Sequence, residues 1–170
     1  MRLLLEGLTA EAFAPFGRVL DGAGSRPLLV NQGRATRRDL VGFAGGTGRT
    51  ALARYDVAGS ALPLEIALLE RHRLSDQVFL ALDGATALVV VAGSDADGSP
   101  DLTRARAFIA GPETPFLYAA GTWHAPLFAL AGGGAFLMAM HESGTPADCE
   151  TFELTAPVRV EQGSWDAGIG

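Results

Sequence analysis

From about Thr50 onward, short apolar runs alternate with turn signals at close spacing. "QVFLAL", "TALVVVAG", "PFLYAA", "APLFAL" and "AFLMAMH" are set off by pieces such as "DG", "GSDADGSPD", "GPETP", "AGGGA" and "ESGTPAD". Runs this short, broken by Gly, Pro and Asp, suit the strands of a sandwich or small barrel. No strand–helix–strand rhythm supports a parallel sheet, so the expected class is mostly antiparallel β. "LALDGATALVVV" reads as a hairpin, because Asp83-Gly84 suits a tight turn. Upstream, "LTAEAFAPFGRVLD" reads as a short helix capped by Thr9, with Glu11 in its first turn and Pro15 or Gly17 at its end. Residues 21–49 read as irregular chain with one or two short strands. No repeat or long linker divides the chain, so residues 1–170 are expected to form a single domain.

Composition narrows the function. A net charge of −6 argues against nucleic acid or an anionic membrane as the main partner. No apolar run approaches the roughly 20 residues of a membrane helix. Glu6 and Glu11 interrupt any signal-peptide core. The single cysteine, Cys149, excludes an internal disulfide and suits a reducing, cytoplasmic location. All 13 basic residues are arginines. Without lysine, Schiff-base chemistry, pyridoxal phosphate attachment and a P-loop are impossible.

Two stretches carry chemistry. "LERHRLSDQVFLALDG", Leu69 to Gly84, crowds polar groups against an apolar strand. Glu70 and His72 are two apart and share one strand face. Gln77 follows five residues later and Gly84 seven beyond that. "YAAGTWHAPLF" then places His124 three residues after Gly121. This spacing is similar to the paired motifs of jelly-roll barrels of the cupin type, with Glu70 where those usually carry His, Gln77 where they carry Glu, and Ala119 in place of a proline. His72, Gln77 and His124 are candidate ligands for a divalent ion, with Glu70 as a fourth ligand or a general base. His141 reads as a strand-end histidine, Trp123 as a core residue more than a substrate platform, and the Arg34–Arg38 run as solvated surface.

"LPLEIALLERHRLSDQVF", "PDLTRARAFI" and "GTWHAPLF" together resemble the ureidoglycolate lyase family, historically labelled ureidoglycolate hydrolase, from Asn31 to about Cys149. Matching positions outside those pieces include Asn31, Gly33, Arg54 and Tyr118. The resemblance implies a cupin-type antiparallel β-barrel (jelly roll) with a short N-terminal helix, commonly a homodimer. It implies cleavage of (S)-ureidoglycolate to glyoxylate and urea in allantoin and purine catabolism, and a divalent metal, often nickel.

That substrate is a hemiaminal with a carboxylate. Its cleavage needs a proton removed from the carbinol oxygen, a proton given to the leaving nitrogen, and a grip on the carboxylate. Glu70 is the expected base, with His72 and His124 as catalytic or metal-holding groups. Arg54 is the first candidate for the carboxylate clamp and Arg106 the second. Asn31, Tyr118 and Trp123 complete the expected substrate contacts. A non-catalytic cupin module binding a small carboxylate, or another cupin enzyme acting on a small acid, remains open at this level.

Overall fold

A computed structural model of the chain describes residues 1–42 and 48–163. The end of the irregular 21–49 segment, at 43–47, and the last residues of the expected single domain lie outside the described residues. In chain order the strands and one helix are β1 (Arg2–Gly7), α1 (Ala10–Phe13), β2 (Gly17–Val19), β3 (Leu28–Val30), β4 (Ala35–Arg37), β5 (Arg49–Val57), β6 (Gly59–Ser60) and β7 (Leu64–Arg71). They continue with β8 (Gln77–Ala81), β9 (Ala87–Ser94), β10 (Pro100–Ala110), β11 (Phe116–Tyr118), β12 (Trp123–His124), β13 (Phe128–Leu130), β14 (Gly134–Glu142) and β15 (Glu150–Glu161). Thr9 caps α1 as expected, its hydroxyl accepting from the Ala12 N–H at 3.2 Å.

Six strands close on themselves in the order β10-β1-β15-β7-β12-β9, through the β9–β10 pairing. One face of each ring strand meets inside, where Leu5, Ile66, Leu69, Val90, Trp123 and Val160 form a first core. A second sheet, β2-β11-β8-β14-β5, packs against the outside of this ring. Between ring and sheet lies a second core of Phe79, Val89, Val91, Phe108, Phe116 and Phe136, plugged by Phe13 of α1. The result is the mostly-β architecture that the strand spacing implies, with the barrel that the family resemblance implies. β9 explains the unbroken apolar run "ALVVVA": Leu88 and Val90 serve one core, Val89 and Val91 the other, so both faces are buried.

One expectation needs correction. Asp83-Gly84 is not a hairpin turn, because β8 pairs with β11 and β14 while β9 belongs to the ring. The turn is a corner between sheets. Gly84 takes a positive φ of 82° there, and the Asp83 carboxylate accepts from the Ala135 N–H at 3.1 Å. The sheets are mostly antiparallel, as expected, with β1 running parallel to both β10 and β15 and β13 parallel to β6.

Candidate active site

The two motif stretches meet at one end of the second core. In the ring, Glu70 of β7, His124 of β12 and Val91 of β9 lie side by side in register. Opposite them, Tyr118 of β11, Gln77 of β8 and Met140 of β14 form a facing row. His72 follows directly on the end of β7. The polar crowding of Leu69–Gly84 supplies Glu70, His72 and Gln77 of this cluster and part of its scaffold. The Asp76 carboxylate accepts from the Ala120 N–H at 2.9 Å, and the His72 carbonyl accepts from the Gly121 N–H at 2.8 Å. Gly121 has a φ of +85°, which lets this turn approach His72 and deliver His124 three residues later. Ser75 ties the other side, accepting from the His141 N–H at 2.9 Å.

Both imidazoles are oriented by backbone carbonyls. His72 Nδ1 lies 2.6 Å from the Asp148 oxygen and His124 Nδ1 lies 2.9 Å from the Thr122 oxygen. A carbonyl only accepts, so each Nδ1 carries the proton and each neutral ring presents a bare Nε2 lone pair. Among the described residues, His72 Nε2, His124 Nε2 and Gln77 Oε1 are buried without a hydrogen-bond partner. His124 is 2% exposed and Gln77 3%. Gln77 turns its amide N–H₂ toward Met140 Sδ at 3.7 Å, which leaves its oxygen free. The rings of His72 and His124 are 5.4 Å apart, and Tyr118 stacks behind His124 at 4.1 Å and 13°. Glu70 Oε1 sits 3.6 Å from His124 Nε2.

Three buried, aimed and unsatisfied acceptors beside a carboxylate are costly unless something fills the space between them. Donor atoms of Glu70, His72 and His124 all lie within 4.8 Å of one another, so this group could hold a metal ion. Two imidazole nitrogens with carboxylate or amide oxygen suit a divalent first-row ion.

The direction of the His72 shift agrees with its tautomer. Burial pushes the His72 pKa below its ordinary value, against the pull of the Asp148 carbonyl, so the ring is held neutral. For Glu70, burial acts upward, but His124, His72 and Cys149 together outweigh it and hold the carboxyl below its usual value. Burial and the Glu70 charge raise Tyr118 and Tyr55, and they raise the thiol of Cys149 as well.

The arginines are placed differently from the sequence expectation. Arg54 is exposed on the outer face of β5, where it pairs with Asp56 at 2.7 Å. Its neighbour Tyr55 is the residue that turns inward, its ring edge-on to Phe79 at 5.8 Å. Arg106 is bound in fork geometry to Glu6 at 2.8 and 2.6 Å and donates to the Ala12 carbonyl. Trp123 is buried in the first core, under the Arg71 guanidinium at 4.2 Å. Asn31 sits exposed at the tip of the β3–β4 hairpin with a φ of +54°. The structure thus brings together Glu70, His72, Gln77, Tyr118 and His124, and leaves Arg54, Arg106, Trp123 and Asn31 outside that cluster. Sequence reasoning missed two residues near Glu70, Tyr55 and Cys149. Cys149 is adjacent in sequence to the carbonyl that orients His72, but no motif spacing marks it.

Comparison with known proteins places the sequence in a family. The sequence model of the ureidoglycolate lyase family matches residues 1–161. The chain belongs to the ureidoglycolate lyase family. A ureidoglycolate lyase from Rhodobacter capsulatus is 38% identical over 162 residues, covering 94% of this chain and 98% of that one. One from Brucella ovis is 40% identical over 139 residues, 80% of each chain. Among solved structures, a dTDP sugar isomerase from Desulfovibrio desulfuricans G20 is 15% identical, covers 83% of this chain and 84% of that one, and has a TM-score of 0.46. The ureidoglycolate lyase match extends from the first strand to the end of β15, so it includes the ring strands as well as the motif-bearing stretches.

Proposed function

We propose that this lyase cleaves (S)-ureidoglycolate to glyoxylate and urea, as a step in allantoin and purine catabolism, at the Glu70, His72, Gln77 and His124 cluster. The observation that carries the reading is the convergence of two bare imidazole nitrogens and one amide oxygen, all buried, on the side of a partly accessible carboxylate. No covalent nucleophile is required. The Glu70 carboxylate takes the proton from the carbinol oxygen, the oxygen closes to a carbonyl, and the C–N bond breaks. The same proton then passes from Glu70 to the departing urea nitrogen. Oxygen and nitrogen sit on one carbon, so a single carboxylate reaches both. General base and acid assistance of this kind is worth about 10²–10⁴ in rate each.

His72, Gln77 and His124 would hold a divalent metal, for which nickel is the family-based candidate. Such an ion supplies Lewis-acid polarisation of substrate oxygens when bound. Glu70 then remains the base. The His72 and His124 carbonyl contacts keep the rings from donating through Nε2 while neutral, which suits them to ligation better than to acid catalysis.

The protein is proposed to act as a cytoplasmic homodimer. Leu52, 68% exposed on the outer face of the five-stranded sheet, and Leu29, 74% exposed on the β3–β4 hairpin, leave apolar surface that a second copy would cover. Among the described residues no helix is long and apolar enough to cross a membrane.

The test is turnover of racemic ureidoglycolate with glyoxylate, urea and ammonia followed together. Half the racemate should give equal glyoxylate and urea. Ammonia in place of urea would assign hydrolysis, and turnover no faster than the spontaneous rate would sink the reading.

A further inference from the structure

Cys149, the only cysteine in the chain, stands at the edge of the cluster with no part in the mechanism above. Its thiol lies 3.9 Å from Glu70 Oε2, within range of a weak S–H···O contact. The other oxygen of the same carboxylate is the one 3.6 Å from His124 Nε2. The two Glu70 oxygens therefore have different neighbours, a thiol on one side and an imidazole on the other.

The segment that presents the thiol is tightly fixed. The Asp148 carboxylate accepts from the N–H groups of Ser143, Gly144 and Thr145 at 2.8, 2.7 and 3.2 Å. Thr145 caps the 3-10 turn Pro146–Asp148 in return. The Asp148 carbonyl then accepts a hydrogen bond from the Nδ1–H of His72, and the next residue is Cys149. On its far side, Glu150 is held in fork geometry by Arg71 at 2.9 and 3.0 Å. One short stretch thus fixes the tautomer of His72 and the place of the thiol against Glu70. The unpartnered Nε2 of His124 and Oε1 of Gln77 mark the space that this carboxylate faces.

We propose that Cys149 is a positioning residue for the reaction: its S–H holds Glu70 Oε2, so that the carboxylate presents its other oxygen to the substrate in one orientation. The inference rests on the base role of Glu70 given above. A carboxylate free to turn about its last torsion spends part of its time misaligned, and misalignment at a proton-transfer centre lowers turnover more than binding. The thiol does not touch the substrate, so its loss should act on kcat and leave KM nearly alone.

The experiment measures kcat and KM for Cys149→Ala, Cys149→Ser and Glu70→Gln beside the unaltered protein, with thermal unfolding of each. The Ala variant should lose about five- to tenfold in kcat with KM within about twofold. The Ser variant, which keeps an O–H donor, should recover most of that loss. Unfolding midpoints of both should match the parent, since the side chain is exposed. A kcat for Cys149→Ala within twofold of the parent overturns the proposal, as does a Ser variant as slow as the Ala variant, or a loss confined to KM. If Glu70→Gln is inactive while Cys149→Ala is normal, only the positioning role fails. If Glu70→Gln turns over normally, the base assignment fails and the positioning role fails with it.

Discussion

Replacing Arg71 with Met should unfold the protein early while keeping its shape. Arg71 is 7% exposed, between the ring and the Ser94–Gly98 turn. Its guanidinium makes two bonds to Glu150, donates to Ser94 Oγ at 3.2 Å and to the Gly98 carbonyl at 2.9 Å, and lies over Trp123. Removing one partner of a fully buried pair costs about 3–5 kcal/mol, because the other charge is stranded. Here the partner left behind is Glu150, whose side chain is 45% exposed and keeps Arg73 at 3.7 Å, so water and Arg73 relieve much of that penalty. Gly98 keeps a donor, the Trp123 indole N–H at 3.2 Å. The stacked cation is worth up to about 2 kcal/mol when desolvated, and Met restores its apolar contact with the indole. The net loss should be about 2–3 kcal/mol. For a chain of this length that is a midpoint lower by roughly 4–12 °C. Urea and thermal unfolding at neutral pH measure it, with an unchanged urea slope showing that both end states persist. A loss under about 1 kcal/mol would mean that this network is not a tie between β7 and β15.

Arg54→Ala should leave kcat, KM and the unfolding midpoint near those of the parent, because its partner is Asp56 on the same outer strand face; a several-fold rise in KM would return Arg54 to the substrate site. Chelator-treated protein given saturating nickel should melt higher, by the equivalent of about 2.7 kcal/mol at a hundredfold excess over Kd. His124→Asn should abolish that rise, and a rise that survives the substitution would place the ion elsewhere. Stability should fall as the pH is lowered. His72 has a folded pKa below its ordinary value, so its contribution is complete above about pH 6.5 and declines as the unfolded chain takes up a proton that the folded one resists. Glu70 and Asp148, also held low, add a second decline through the carboxylate range. Unfolding midpoints from pH 8 to 4 check this, and His72→Asn should remove the part that begins just below pH 6.5.

The barrel was legible because its signals are local. Strand period, turn residues and the Thr9 cap each act over a few positions. The Glu70, His72, Gln77 and His124 set was legible for the same reason, since two-residue spacing on a strand and a glycine turn before His124 are short-range geometry. The arginines were not. Tyr55, not Arg54, faces inward because β5 pairs with β14 in a register that sets Tyr55 opposite Phe136. A one-residue difference in register reverses every side chain on such a strand. Arg106 is engaged by Glu6, and no local pattern announces a partner a hundred positions away. The Asp83-Gly84 dipeptide is as good at a sheet-to-sheet corner as in a hairpin, and only the pairing partners of β8 and β9 distinguish the two. Cys149 reaches Glu70 through a capped turn whose role in orienting His72 depends on a backbone carbonyl, which has no sequence signature.

Turnover by Glu70→Gln protein tests the central claim most directly. The amide keeps the size of the side chain and cannot accept the carbinol proton. With folding verified by an unaltered melting profile, kcat should fall by about 10²–10⁴ with a much smaller change in KM. A variant that still releases glyoxylate and urea at close to the parent rate would show that carbon–nitrogen cleavage does not depend on this carboxylate.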